Sequence, residues 1–182
     1  SQGNSSIGFY IGSNDNTFTG NSSQGNSTGF YTEQAVSNTI SANTTEGNAN
    51  TGYFVDDLST NNTISGNTSR NDVNKGFYIR ANSSYNSFVG NSVRGSVQGF
   101  VLENASNNNL ISANKIHDNG GATANNGIYL DASDNNTITG NDITDTSCTT
   151  NCYAINIFNS TSDNNYLGGN TFSSTGDPAT IN

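Results

Sequence analysis

The chain has 182 residues, a formal net charge of −9 and a sequence pI near 4.1, a balance that argues against nucleic acid as a partner. Only 10% of its residues are charged and 30% are hydrophobic, against about 45–50% apolar in an ordinary globular domain. No stretch approaches the about 18 apolar residues of a membrane span.

Low hydrophobicity ordinarily reads as disorder, but here two phrases alternate in register down the whole chain. The first opens with Gly and three mostly apolar residues, Gly8-Phe9-Tyr10-Ile11. The second follows as Asn16-Thr17-Phe18-Thr19-Gly20-Asn21. Gly29-Phe30-Tyr31-Thr32 then leads to Asn38-Thr39-Ile40-Ser41-Ala42-Asn43, and Gly52-Tyr53-Phe54-Val55 to Asn62-Thr63-Ile64-Ser65-Gly66-Asn67. The alternation continues through Gly76, Asn86 and Asn91, through Gly99, Asn109 and Asn114, and through Gly127, Asn136 and Asn141. It closes on Ala154-Ile155-Asn156-Ile157 with Asn165 and Asn170. A weaker third segment begins two residues past each second Asn, at Ser23, Thr45, Ser69, Val93, Ile116, Ile143 and Phe172. Three short strands per turn and about seven turns define an all-β, three-sided parallel solenoid, expected here as a right-handed parallel β-helix forming one domain over 1–182.

Strand side chains alternate faces. Phe9/Ile11, Phe30/Thr32, Tyr53/Val55, Phe77/Ile79, Phe100/Leu102, Ile128/Leu130 and Ile155/Ile157 are predicted to point inward. The intervening position then builds an outer column of Tyr10, Tyr31, Phe54, Tyr78, Val101 and Tyr129. Beside it runs a mainly acidic column of Glu33, Asp56, Arg80, Glu103 and Asp131, in which Arg80 is expected to relieve both acidic pairs. The two Asn columns are read as structural ladders, Asn16, Asn38, Asn62, Asn86, Asn109, Asn136 and Asn165 at one corner, and Asn21, Asn43, Asn67, Asn91, Asn114, Asn141 and Asn170 at the next. Stacked Asn side chains bond to the turns above and below, and Asn tolerates the left-handed backbone that corners require.

These phrases resemble the right-handed parallel β-helix repeats of the pectate-lyase-like superfamily. More narrowly, they resemble the family that groups periplasmic copper-accessory proteins with carbohydrate-binding and sugar-hydrolase β-helix domains. Archaeal surface proteins, disaggregatase-like polysaccharide-degrading proteins among them, carry similar repeats. The resemblance implies a fold; the matching motif is all scaffold. Copper handling fits the residues badly, because Met is absent, His117 is the one histidine and the two cysteines adjoin, so soft ligands are missing. His117 is read as a surface-loop residue.

The residues support two function classes. The first is an extracellular or cell-surface structural solenoid, glycan-associated or glycosylated, that forms a filament or surface layer by head-to-tail association. The alternative is a polysaccharide hydrolase or lyase, or its glycan-binding domain. Hydrolysis needs carboxylates about 5–5.5 Å apart for retention or about 6.5–9.5 Å for inversion, which points to Glu33 with Asp56, or Asp56 with Glu103. A lyase would need a carboxylate-bound Ca²⁺ and a base, with Asp56, Asp131 and Arg80 as the residues to conscript. No other cofactor and no metal site are expected. Tyr10, Tyr31, Phe54, Tyr78 and Tyr129 are the glycan-contact candidates.

Among many Asn-X-Ser/Thr sequons, Asn26, Asn82, Asn104 and Asn159 are expected at corners or outward positions. Asn21, Asn43 and Asn67 belong to a ladder and are expected unmodified. Cys148 and Cys152 are read as a local disulfide, implying an oxidising compartment, with two free thiols as the alternative. With no leader visible before Ser1, the chain is expected to be a mature product, a segment of a longer solenoid, or a subunit assembling end to end.

Overall fold

The computed structural model describes residues 1–119, 126–145, 153–158, 162–174 and 180–181. Their strands form three parallel sheets of a right-handed β-helix. The wide sheet stacks Ile7–Ile11, Thr28–Glu33, Thr51–Asp56, Lys75–Ile79, Gln98–Glu103, Asn126–Asp131, Tyr153–Phe158 and Thr180–Ile181. The second sheet runs from Thr17–Thr19 to Tyr166–Gly168, and the third from Ser22–Gln24 to Thr171–Ser174, each with seven strands. Seven coils contribute one strand to every sheet, and Thr180–Ile181 adds an eighth strand to the wide sheet.

The predicted inward positions fill the bore. Phe9, Phe30, Tyr53, Phe77 and Phe100 stack ring on ring at centroid spacings of 4.6, 5.2, 4.8 and 4.5 Å. Phe88 meets Phe77 and Phe100 edge-on from the second sheet at 6.2 and 5.9 Å. Such pairs add about 0.5–1.5 kcal/mol each beyond area burial. The third-sheet wall changes character along the axis. It is polar at Ser23, Thr45 and Ser69, and apolar from Val93 through Ile116 to Ile143, all buried.

That third wall explains the Gly that opens each wide-sheet phrase. A β-carbon on Gly76 would lie 2.0 Å from Val93 Cγ2, and one on Gly99 would lie 2.5 Å from Gly127 O and 2.7 Å from Ile116 Cγ2. At Gly76 and Gly99 only a residue without a side chain lets the strand pass this close to its neighbours, whereas the last phrase carries Ala154 at the same position.

Both predicted ladders are present. Each ladder Asn accepts, on Oδ1, the backbone N–H of the Asn one coil earlier, as in Asn38 N to Asn62 Oδ1 at 2.8 Å and Asn43 N to Asn67 Oδ1 at 2.9 Å. In most of the inner coils its Nδ2 donates to a carbonyl of the earlier coil, as in Asn67 Nδ2 to Ile40 O at 2.8 Å, whereas Asn136 Nδ2 is buried without a partner. The ladder residues themselves are not the left-handed ones. Positive φ falls on the residue before each, at Asp15, Ser37, Asn61, Tyr85, Asn108, Asn135 and Asn164 for the first ladder. For the second it falls on Gly20, Ala42, Gly66, Gly90, Ala113, Gly140 and Gly169. The ladder Asn is selected for its amide and its predecessor for the bend.

A third ladder escaped the sequence reading. Asn4 N donates to Asn26 Oδ1 at 2.9 Å, Asn26 N to Asn48 Oδ1 at 2.9 Å, Asn48 N to Asp72 Oδ1 at 2.9 Å and Ser96 N to Asn119 Oδ1 at 3.3 Å. This corrects the expectation for Asn26. It is 1% exposed and its Nδ2 donates to Ser23 Oγ, so it is interior and not a corner glycosylation candidate. His117 is likewise corrected from loop to strand, in Lys115–His117 of the third sheet.

Candidate functional site

The outer face of the wide sheet carries the aromatic and acidic columns in the expected register, with Tyr31 opposite Phe54, Glu33 opposite Asp56, and Glu103 opposite Asp131. The rings stack on one another along the axis. Tyr31 and Phe54 lie 5.0 Å apart and Phe54 and Tyr78 4.8 Å apart, while Tyr10 tilts by 57° against Tyr31 at 5.8 Å. Val101 occupies the outer column yet is fully buried beside Tyr78 and Tyr129. Lys75 Nζ sits 4.1 Å from the centre of the Tyr78 ring. The flat faces of the central rings are thus occupied by neighbours, and their edges and hydroxyls are what the column presents.

The hydroxyls lead to the carboxylates. Tyr10 donates to Glu33 Oε2 at 2.8 Å, and Tyr78 donates to Glu103 Oε2 at 2.7 Å. Tyr31 Oη lies 2.9 Å from Glu33 Oε1 and 3.1 Å from Asp56 Oδ2, so one proton serves two carboxylates. Burial, then hydrogen bonding to Glu33, pushes the Tyr31 phenol well up. Burial and the bond to Glu103 push Tyr78 up to about 12. Tyr10 is raised mainly by its bond to Glu33, and Tyr129 by burial and by the charges of Asp131 and Glu103. These phenols therefore stay neutral donors across the physiological range.

Arg80 does not divide itself between the acidic pairs as expected. Its Nε donates to Asp56 Oδ1 at 2.9 Å and its Nη2 to Asp56 Oδ2 at 3.0 Å, a two-pronged bridge that raises the guanidinium further above its usual value. The guanidinium also lies over Phe54 at 4.9 Å and Tyr78 at 5.5 Å. Asp56 additionally accepts the N–H of Asp57 and is only 4% exposed. It is a sealed structural ion, not the solvent-facing carboxylate that its outward position predicts. Glu33, Glu103 and Asp131 are half-buried and remain at the surface.

Asn82 and Asn104 are exposed at a corner, as expected. Asn159, Cys148 and Cys152 lie outside the described residues, as do parts of the two long insertions that follow Asn114 and Asn141.

Residues 1–176 match a family described as NosD, periplasmic copper-binding protein. No curated protein matches the chain. Among solved structures, the A-module of the Azotobacter vinelandii mannuronan C-5 epimerase AlgE6 is similar at a TM-score of 0.58 and 16% identity, over 93% of this chain and 63% of that one. The A-module of AlgE4 from the same organism gives a TM-score of 0.39 at 17% identity, over 97% of this chain and 58% of that one. The chain thus spans about three fifths of the modules it resembles, and at these identities the likeness is one of fold.

The family description raises copper, and the donor set does not fit it. Copper sites draw on thioether, thiolate and imidazole ligands, whereas the sequence has no Met, one His and two Cys, Cys148 and Cys152, which lie outside the described residues. Among the described residues no three His, Cys, Asp or Glu side chains converge. The one imidazole is engaged with Asp142 Oδ2 at 3.2 Å. For Ca²⁺, which takes six to eight oxygens, no three carboxylates converge among the described residues, and Asp56 is bound by Arg80.

Proposed function

The chain belongs to the NosD family, and from that premise we propose that it is a non-catalytic β-helix of the cell envelope whose wide-sheet face rests on neutral polysaccharide. One observation carries this reading. The phenols of Tyr10, Tyr31 and Tyr78 hold Glu33 and Glu103 in place as hydrogen-bond acceptors, while the partner each would need for hydrolysis is taken. Glycoside hydrolysis requires two carboxyl groups free to flank the bond, and Asp56 is common to both candidate pairs and sealed by Arg80. Fixed acceptors beside phenol edges suit sugar hydroxyls. A face with Glu33, Glu103 and Asp131 repels a polyuronate and tolerates a neutral chain.

Envelope localisation follows the family description, which is periplasmic. Head-to-tail stacking of copies belongs to the same proposal, as does glycan attachment at exposed Asn82 and Asn104 in a host that modifies such sequons. Electron microscopy and intact mass of native material test those two points.

The central test is titration with soluble neutral glucans and xylans, followed by tyrosine fluorescence, with product analysis on the same samples. Binding that weakens several-fold in Glu33→Gln and Glu103→Gln, with no new reducing or unsaturated ends, is the expected result. Turnover abolished by Asp56→Asn or Glu103→Gln would overturn it in favour of a polysaccharide hydrolase or lyase.

A further inference from the structure

The chain has 5 Lys and Arg residues and 1 His against 14 acids. Three of the five, Arg70, Arg94 and Lys115, and the histidine, His117, fall on the outer face of the third sheet. They occupy three consecutive strands, Thr68–Arg70, Ser92–Arg94 and Lys115–His117. Pairing sets Arg70 opposite Arg94, Arg94 opposite His117 and Ser92 opposite Lys115. Neighbouring strands lie about 4.8 Å apart, so Arg70, Arg94 and His117 form a file along the solenoid axis, with Lys115 beside it in the column of Ser92.

Like charges directly opposite each other cost stability, and this file is answered only at its ends. Arg70 Nη2 bridges to Glu46 Oε2 at 3.0 Å on one side, and His117 Nε2 meets Asp142 Oδ2 at 3.2 Å on the other. Among the described residues, neither Arg94 nor Lys115 takes part in an ion pair, and both are exposed. Of the nearby acids, Asp72 is buried in the third ladder, Asp118 at the next corner has an interaction of its own, and Asp142, opposite Lys115 on the next strand, is engaged with His117. A strongly acidic chain has thus gathered most of its positive charge into a strip three coils long, with acids marking both limits.

We propose that this strip binds a linear acidic polysaccharide running along the solenoid axis. The site lies on a different sheet from the wide face and does not depend on the reading given for it. A linear polymer suits a strip two residues wide that runs along the axis. Guanidinium groups bond carboxylate or sulfate oxygens in two-pronged fashion. The parallel outer column supplies half-exposed hydroxyls at Thr44, Thr68 and Ser92 for sugar hydroxyls. The same composition disfavours a protein partner. Outer positions from Thr44 to His117 include no Trp, Tyr, Phe or aliphatic side chain, so the strip lacks the apolar core around which protein interfaces pack.

The test measures binding of polygalacturonate, dextran sulfate, unmodified dextran and single-stranded DNA by calorimetry over a range of salt. Anionic polysaccharide is expected to bind with an affinity that falls steadily as salt rises, through release of counterions. The double substitution Arg94→Ala with Lys115→Ala is expected to weaken it about tenfold or more. A control that lowers net charge equally at a distant corner, Asn82→Asp with Asn104→Asp, should leave it within about twofold. Preference for polygalacturonate or for dextran sulfate supports the proposal either way and identifies the anionic group. If the double variant loses its β-sheet circular dichroism, Arg94→Gln alone gives the same comparison in an intact fold. Unchanged binding in the variant, or equally tight DNA binding, overturns the proposal. So does low-salt self-association that the substitutions abolish in sedimentation, which would assign the strip to a second copy. Neutral-glucan binding that responds to Glu33→Gln and not to Arg94→Ala separates the two faces.

Discussion

Asn48 donates both its backbone N–H and its Nδ2 to one oxygen of Asp72, at 2.9 and 2.7 Å, so a carboxylate stands where the ladder pattern calls for an amide. The other oxygen accepts from Thr45 Oγ1 and Ser69 Oγ, each at 2.7 Å. Asp72 is 0% exposed, and among the described residues no cation pairs with it. Burial raises its carboxyl above the usual 3.8, although these hydrogen bonds pull the other way. The folded chain therefore holds this proton to a higher pH than the unfolded chain does. As pH rises from the ordinary carboxylate range through the folded value, the unfolded state ionises first and stability falls. Asp72→Asn should abolish that fall and raise neutral-pH stability by about 1 kcal/mol, because its Nδ2 can take the ladder's usual donor role. Urea unfolding of both proteins from acid to neutral pH checks it, and parallel curves would refute it.

Asn67 offers the opposite case, a ladder amide with every bond made. Its Oδ1 receives Asn43 N at 2.9 Å and Asn43 Nδ2 at 3.2 Å, and its own Nδ2 reaches Ile40 O. Asn67→Ala leaves a buried N–H and a buried carbonyl without partners, for a loss of about 3 kcal/mol. Asn82→Ala, at an exposed corner with a φ of 62°, should cost only about 1 kcal/mol, the strain of Ala in the left-handed region. Paired chemical melts measure the contrast.

Gly99→Ala should cost about 1–3 kcal/mol, as overpacking does. Its new methyl would meet the carbonyl of Gly127, which cannot move without breaking the stack. Shortening Ile116, whose Cγ2 is the second obstacle, should recover little, because the backbone contact remains. A double-mutant comparison of Gly99→Ala and Ile116→Ala, the latter removing Cγ2, reads this directly.

Arg80→Met should destabilise the fold by about 2 kcal/mol, a figure discounted because the Arg80 side chain is 41% exposed while that of Asp56 is 6% exposed. Substituting both, with Asp56→Leu, should return most of the loss, since no buried charge is then stranded. Thermal unfolding of the single and double variants decides it.

Much of this architecture was legible because two of the three corners spell themselves with one residue type. Asn16 through Asn165 and Asn21 through Asn170 never vary, and the inward Phe, Tyr and Ile follow from period-two alternation. The third corner is written Asn26, Asn48, Asp72, Ser96 and Asn119, and so it does not read as a column. The signal lay one residue earlier, in Gly25, Gly47, Asn71, Gly95 and Asp118, all with positive φ. The outer acidic column was placed correctly, but its partners were not. Sequence can set Asp56 and Arg80 on neighbouring turns, but only side-chain geometry shows that Arg80 spends both prongs on one carboxylate. The basic strip needed register as well, because Arg70, Arg94 and His117 lie more than twenty residues apart and share no motif.

The first ladder bonds Asn16 N to Asn38 across 22 residues at 2.8 Å, and Asn136 N to Asn165 across 29 residues at the same 2.8 Å. Seven additional residues thus leave the joint between coils unchanged, because the ladder measures the coil's corner and ignores the contour length in between. Such a scaffold separates growth from integrity. New loops can be spliced between the Asn posts, enlarged or exchanged while the stack keeps its pitch, so this fold can acquire new surfaces without first being rebuilt.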